Sequence, residues 1–223
     1  MALPDEAAVP AKLVFRIAPM PIPANVEALL KKCDTGTAAL TYLNANKIDI
    51  ETSNEGAIAY FDPGDATHKK KIVLNVSKPA AIVAAYFCHE INHYKMNLTG
   101  KSGDALKEDK DAYVAKMVSE EAAGTGLGFR CFYELESKGE TTGVKAPDRY
   151  DFYKRAVESG KKEKGERDAS SSDADRQAAG FAKGAQISRA LINERFLGPN
   201  ALQSYEEYYS GDWARQRKKQ ANK

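Results

Sequence analysis

Residues 79–98, PAAIVAAYFCHEINHYKMNL, contain an HExxH motif that runs from His89 to His93. In an α-helix this spacing places the two imidazoles one turn apart and about 40° from each other around the axis. Both rings can then reach one metal ion. Glu90 lies on the flank of the same face, close enough to hold a water molecule but turned too far aside to bind the ion. The stretch therefore predicts a metal site on a helix.

The apolar pattern around the motif predicts a helix that is buried on two sides. Pro79 suits the first turn, where its missing N–H is no loss. Only a narrow strip with Asn92 and Lys95 is polar, and such a helix lies between layers. One side should pack on the core and the other should line a cleft that contains the histidines. The apolar positions on the two sides are Ile82, Ala85, Tyr86 and Met96, and opposite them Val83, Phe87, Ile91, Tyr94 and Leu98.

A catalytic zinc site needs a third protein ligand and leaves a fourth position for water. The helical pattern that begins near Asp104 carries two candidate carboxylates, Glu120 and Glu121. At about 100° per residue, Glu121 falls some 60° from the centre of the apolar face, whereas Glu120 falls on the opposite side with Lys116. We therefore favour Glu121 as the third ligand and keep Glu120 as the alternative. The nitrogen and oxygen donors indicate Zn²⁺, although other divalent ions accept the same donors.

The remaining pattern predicts a mainly helical α+β fold. Three strand-like runs precede the HExxH helix, at 47–52, 57–62 and 70–76, and they predict a small antiparallel sheet. Helical patterns lie before this sheet and after the motif.

The length of 223 residues predicts a single domain over residues 1–223. We expect residues 1–22 to be an N-terminal extension with one strand at 12–17. Residues 159–176 have no apolar side chain larger than alanine, which predicts a flexible polar loop. Residues 177–223 should form C-terminal helices. The tyrosine-rich stretch 201–210 could face the core or form one wall of a cleft, and we favour the core.

Composition excludes several classes of protein. A net charge of +2 favours neither a nucleic-acid binder nor an acidic tail protein. Three cysteines make no disulfide framework, though one bond between two of them stays open. No apolar stretch is long enough to span a bilayer, and the N-terminus lacks the features of a secretory signal. These features predict a protein that stays in the cytoplasm or leaves by a dedicated secretion system, unless the start is a cut within a longer chain.

The block YFDP…KKIVLN…FCHEINHYK…MVSEEAA, within residues 57–135, resembles the gluzincin-type zinc metallopeptidases. It is also similar to bacterial metallopeptidase domains that act as toxin effectors, including those attached to type VI secretion spike proteins. The resemblance implies a zincin-like domain in which His89, His93 and Glu121 bind Zn²⁺ and Glu90 is the catalytic base. The metzincin pattern does not fit, because Thr99 stands where its third histidine would be. A protein or peptide substrate, a secretion-apparatus carrier and an immunity protein are the implied partners.

The predicted reaction is hydrolysis of a peptide bond. Zinc lowers the pKa of water and polarises the scissile carbonyl, while Glu90 accepts the proton and passes it to the leaving amine. An additional electrophile should stabilise the oxyanion, and the sequence offers Tyr86, Tyr133, Tyr150 and Tyr153. The resemblance also implies that the strand at 70–76 presents an edge to an extended peptide.

Two other classes of function stay open. One is a regulatory or binding protein that uses a zinc-peptidase-like fold without proteolysis, a class in which the catalytic glutamate is typically lost. The other is a helical module without metal, in which the motif is accidental. Elemental analysis distinguishes the helical module without metal from a metal protein. A protease assay distinguishes the regulatory or binding protein from a peptidase.

Overall fold

The structure, a computed structural model, describes residues 22–65, 67–192 and 203–221. Within these ranges the chain forms seven α-helices and one three-stranded sheet, which confirms the predicted mainly helical α+β class. The predicted strand at 12–17 lies outside the described residues. The elements are α1 (Ala24–Leu30), α2 (Asp34–Asn46), β1 (Asp49–Ser53), β2 (Ala59–Asp62), β3 (Lys71–Asn75), α3 (Ala80–Leu98), α4 (Lys110–Glu136), α5 (Tyr150–Arg167), α6 (Asp173–Ile192) and α7 (Tyr205–Ala221).

The sheet has the strand order β1-β3-β2 and is mixed. β3 pairs antiparallel with β2, where Tyr60 lies opposite Val73, and parallel with β1, where Asp49 lies opposite Lys71. The three strands were predicted, but the all-antiparallel arrangement is wrong for the β1 pair. Alternating side chains indicate a strand without indicating its neighbour, and here β3 turns back from β2 to run beside β1. β3 is consequently paired on both sides, so the expectation that it offers an edge is also wrong.

Helix α3 lies between two layers, as its pattern predicts. The sheet and helices α1 and α2 pack on one side of it, and α4 packs on the other. Both faces are buried: Val83 and Phe87 are fully enclosed on one, and Ile82 and Ala85 are 8 and 1 % exposed on the other. Gly100 follows the helix with a positive φ of 67°, the conformation that glycine adopts most readily at a helix end. The motif therefore sits on the central element of the fold.

The predicted flexible loop at 159–176 is wrong, because α5 continues through most of it and only a short connection precedes α6. Its lysines, glutamates and arginine are good helix formers. Lys162 and Glu166 pair four positions apart at 3.7 Å. A Cβ placed on Gly160 would come within 2.9 Å of Gly180, which shows how closely α5 and α6 pack. The scarcity of large apolar residues thus reflects a helix that packs through glycine.

The three cysteines are buried and free, so they act as packing thiols. The Sγ atoms of Cys33 and Cys131 lie 3.7 Å apart. The hydrogen bond with Cys131, together with burial, raises the pKa of Cys33 above its ordinary value. Both groups therefore remain neutral inside the core.

None of the described helices carries an apolar run long enough to cross a membrane.

Candidate metal centre

Helices α3 and α4 bring His89, His93 and Glu121 together in one buried group. The Nε2 atoms of the two histidines are 2.8 Å apart. Glu121 places Oε2 at 3.3 Å from Nε2 of His89 and Oε1 at 3.6 Å from Nε2 of His93. The three potential ligand atoms all lie within 4.8 Å of one another. The group could hold a metal ion, and its members are the three residues predicted as ligands.

Glycines on α4 allow this close approach of the two helices. A Cβ on Gly124 would lie 3.1 Å from atoms of the His89 ring, and a Cβ on Gly128 would lie 3.1 Å from the carbonyl oxygen of Ala85. Both distances are tighter than ordinary van der Waals contact, so a larger residue would push α4 away from α3. The glycines do not interrupt the helix, which runs unbroken from Lys110 to Glu136.

Glu120 is buried beside His93, so its predicted position on the outer side with Lys116 is wrong. Its Oε1 lies 2.7 Å from Nδ1 of His93, and its backbone oxygen accepts a hydrogen bond from Asn92 Nδ2 at 3.0 Å. The prediction assumed one buried face, but α4 packs against α3 on one side and against α6 and α7 on others. A histidine that donates from one nitrogen to a carboxylate keeps the other nitrogen free for a metal.

The charges around the two imidazoles fit a bound cation. Glu90, Glu120 and Glu121 are 7, 3 and 6 % exposed, so three carboxylates are buried beside two imidazoles. The three carboxylates outnumber the two imidazoles that could pair with them, and buried charge is costly unless it is paired. Oε2 of Glu120 finds no hydrogen-bond partner among the described residues. A divalent ion bound by neutral imidazoles would offset the negative charge, and nitrogen and oxygen donors suit Zn²⁺ and its neighbours.

The same electrostatics shift the pKa of His93 and that of Glu121 when no metal is bound. Burial lowers the pKa of His93, but hydrogen bonds with Glu120 and Glu121 outweigh burial and hold the pKa well above its usual range. Burial raises the pKa of Glu121, while hydrogen bonds with His89 and His93 outweigh it and hold that pKa well below its usual range. Without a metal, the proton that these hydrogen bonds favour on His93 supplies positive charge beside Glu120 and Glu121.

Glu90 is held by the sheet. The backbone N–H of Phe61, on the edge strand β2, donates to Oε2 of Glu90 at 2.8 Å. The Phe61 ring packs edge-on against Tyr94 of α3 at 5.5 Å between centroids, which fixes the strand over the helix. One oxygen of Glu90 is therefore occupied by the backbone, and the second is the one available to a substrate or a water molecule.

A cleft of about 830 Å³ contains the candidate ligands and Glu90. Its walls come from the edge strand β2, from α3 and α4, and from the C-terminal helix α7. Apolar and hydroxyl-bearing side chains line it beside the histidines, among them Ala59, Phe61, Tyr86, Thr125, Tyr205 and Tyr208.

Of the four tyrosines suggested for the oxyanion, the structure brings only Tyr86 to the cleft. Its ring lies 6.5 Å from that of His89 and nearly parallel to it. Tyr133 donates to Glu158, Tyr150 donates to Glu136 at 2.7 Å, and Tyr153 is enclosed in the core. These three belong to the packing of α4 and α5.

Tyrosines on α7 are site residues that the sequence did not assign. Tyr205 and Tyr208 line the cleft, and the Tyr209 hydroxyl donates to Oε1 of Glu121 at 2.5 Å. Burial, followed by the charge of Glu121, raises the pKa of Tyr209, so the hydroxyl keeps its proton and donates. In its described part, 203–210, this stretch therefore forms a cleft wall alongside the favoured core packing. The four-residue spacing of Tyr205 and Tyr209 was a signal that the two share a helix face.

Replacing Glu120 with glutamine should weaken metal binding about tenfold, at the lower end of what a lost carboxylate partner of a ligating histidine costs. Glutamine keeps an oxygen that can accept from Nδ1 of His93, but it removes the charge that favours the bound cation. Competition with a chromophoric chelator measures the change. The exposed Glu166→Gln variant is the control, and equal affinities of the two variants would contradict the assigned role.

Comparison of the chain with protein-family models, curated proteins and solved structures finds no match. The fold and the site define the class at this level: a mainly helical α+β protein with a buried group of two histidines and one glutamate that could hold a metal ion.

Proposed function

We propose that the protein is a zinc-dependent peptidase. The observation that carries this proposal is the buried group of His89, His93 and Glu121, which lies in an open cleft beside a separately held Glu90. A site that only stabilised the fold would be closed by a fourth protein ligand, whereas catalytic zinc sites use three and stay accessible. The resemblance of residues 57–135 to gluzincin-type peptidases supports the same reading.

The two histidines and Glu121 would hold the ion, and Glu120 would orient His93 through its second nitrogen. A bound Zn²⁺ supplies Lewis-acid polarisation of a carbonyl and lowers the pKa of water to about 7. Glu90 accepts the proton of the attacking water on the oxygen that Phe61 leaves free, and it then delivers that proton to the leaving amine. The hydroxyls of Tyr86, Tyr205 and Tyr208 are the candidates to donate to the developing oxyanion.

The edge of the sheet suggests how a peptide would bind. β2 pairs with β3 on one side, and residues of β2 line the cleft beside Glu90. An extended peptide can add to such an edge through backbone hydrogen bonds, which are indifferent to its side chains. The proposed substrate is therefore an extended segment of polypeptide that lies along β2. The sequence had suggested β3 as the strand that binds it.

The proposal includes a biological role as a bacterial effector toxin, carried by a secretion apparatus and neutralised in the producer by an immunity protein. It rests on the resemblance to effector peptidases. Expression directed to the periplasm or to the cytoplasm of a bacterium, with Glu90→Gln as the inactive control, tests this role. Toxicity that does not depend on Glu90 would count against it.

A peptide library prepared from a bacterial proteome tests the activity directly. We expect new termini, detected by mass spectrometry, after incubation with the zinc-loaded protein and none after treatment with a chelator. A protein that binds zinc in equal molar amount and cleaves nothing would instead support the binding-protein alternative. The intact Glu90 and the open cleft argue against that alternative.

A further inference from the structure

Helix α7 reaches the candidate metal centre from the far end of the chain. Tyr209 is 8 % exposed, and its hydroxyl donates to Oε1 of Glu121 at 2.5 Å. Tyr205, one turn earlier, stacks on Tyr209 with centroids 6.1 Å apart. A second hydrophobic cluster, separate from the main core, joins α7 to α4 and to the segment that precedes α4. The cluster contains Ala105, Tyr113, Val114, Met117, Val118, Tyr205, Tyr208, Tyr209 and Trp213.

The two oxygens of Glu121 have different surroundings. Oε1 accepts from Tyr209 and lies 3.6 Å from Nε2 of His93, whereas Oε2 lies 3.3 Å from Nε2 of His89. A carboxylate that rotates freely can present either oxygen or both to an ion. A hydroxyl fixed on one oxygen removes that freedom, in the way that partners of ligating side chains generally orient them.

We propose that Tyr209 is a positioning residue for the metal centre. Its hydroxyl holds Oε1 of Glu121 and leaves Oε2 as the oxygen that would bind the ion together with the two histidines. The C-terminal helix thereby completes a site whose ligands all lie on α3 and α4. This inference rests on the proposed metal site, but it concerns affinity and orientation, so it can fail while the metal site and the peptidase activity stand.

Tyr209→Phe tests the proposal, because it removes only the hydroxyl. The matched control is Tyr113→Phe, which removes a hydroxyl that donates to Asp212 at 2.6 Å and so breaks a tyrosine–carboxylate bond between the same two helices, away from Glu121. Zinc affinity is measured by competition with a chromophoric chelator. We expect Tyr209→Phe to bind zinc about 10–100 times more weakly than the wild type, as for other lost partners of metal ligands, and Tyr113→Phe to bind as the wild type does.

The outcomes separate the two proposals. A wild type that binds no metal overturns the metal site itself. A wild type that binds zinc, with Tyr209→Phe of equal affinity, overturns the role of Tyr209 and leaves the site intact. An equal loss in both variants shows that docking of α7, and not the hydroxyl on Glu121, sets the affinity, and it also overturns the role.

Trp213, the only tryptophan of the chain, reports whether α7 is docked in each variant, since its indole donates to the backbone oxygen of Glu108 at 3.1 Å. If the tryptophan emission shows that α7 is no longer docked in Tyr209→Phe, hydrogen exchange of the wild type tests the proposal instead. Coupling between two sites is reciprocal, so zinc should slow the exchange of α7 amides more than that of α5 amides. Equal slowing of the two helices would overturn the proposal.

Discussion

Replacing Glu90 with glutamine should lower the rate of peptide hydrolysis by about 10²–10⁴-fold, the usual contribution of a positioned general base, while zinc binding is retained. Glutamine has nearly the shape of glutamate, and its side-chain oxygen can still accept the N–H of Phe61. It cannot take up a proton from water, so the chemical step fails although the site stays assembled. The rate on a peptide identified in the library and the zinc content per chain measure the two effects.

The control for this substitution is Glu166→Gln, which changes an exposed glutamate on α5 by the same chemistry. It should leave both the rate and the zinc content at wild-type values. Full activity in Glu90→Gln would refute the general-base role, and a loss of zinc in that variant would show that Glu90 belongs to the ligand set.

Saturating zinc should raise the melting temperature of the wild type by about 10 °C, and His89→Ala should abolish this rise. A ligand present at about 1,000 times its dissociation constant stabilises the folded state by about 4 kcal/mol. For a chain of this size, each kcal/mol corresponds to roughly 2–4 °C. Calorimetry with and without the metal measures the shift, and comparing each variant with its own metal-free form cancels any change in packing.

His68→Ala is the matched control, because the chain has three histidines and this one lies outside the site. The His68 side chain is 41 % exposed and pairs with Asp62 and Asp65 in the connection between β2 and β3. The rise with zinc should be unchanged in this variant. A rise of equal size in His89→Ala would mean that the metal binds elsewhere.

Helical periodicity was sufficient to predict that His89 and His93 share one face of α3 and that Glu121 lies near a buried face of α4, because a regular helix fixes which side chains share a face. It misplaced Glu120, since that argument assumes one buried face and α4 has neighbours on several sides. The four-residue spacing of Tyr205 and Tyr209 indicates a shared helix face, but it does not predict what Tyr209 contacts. Its contact with Glu121 spans 88 positions, and no local pattern determines how a distant helix docks.

In the sheet and in the α5–α6 pair, too, some features follow from the sequence and others depend on tertiary packing. Strands β1, β2 and β3 follow from composition and alternation, whereas the pairing of β1 with β3 depends on the path of the chain in three dimensions. The polar stretch at 159–176 was taken for a loop because it lacks large apolar side chains. In the structure α5 packs through Gly160 at backbone distance, a contact that buries little apolar surface and leaves no hydrophobic pattern to read.

The distance along the chain between Glu121 and Tyr209 has a consequence for biosynthesis. At about 5–20 residues per second, a ribosome completes α7 several seconds after it has made the helical hairpin of α3 and α4. During that interval the nascent chain carries the three candidate ligands without the tyrosine that we propose to orient Glu121. On this proposal, metal acquired before α7 docks would be held about 10–100 times more weakly than in the finished protein.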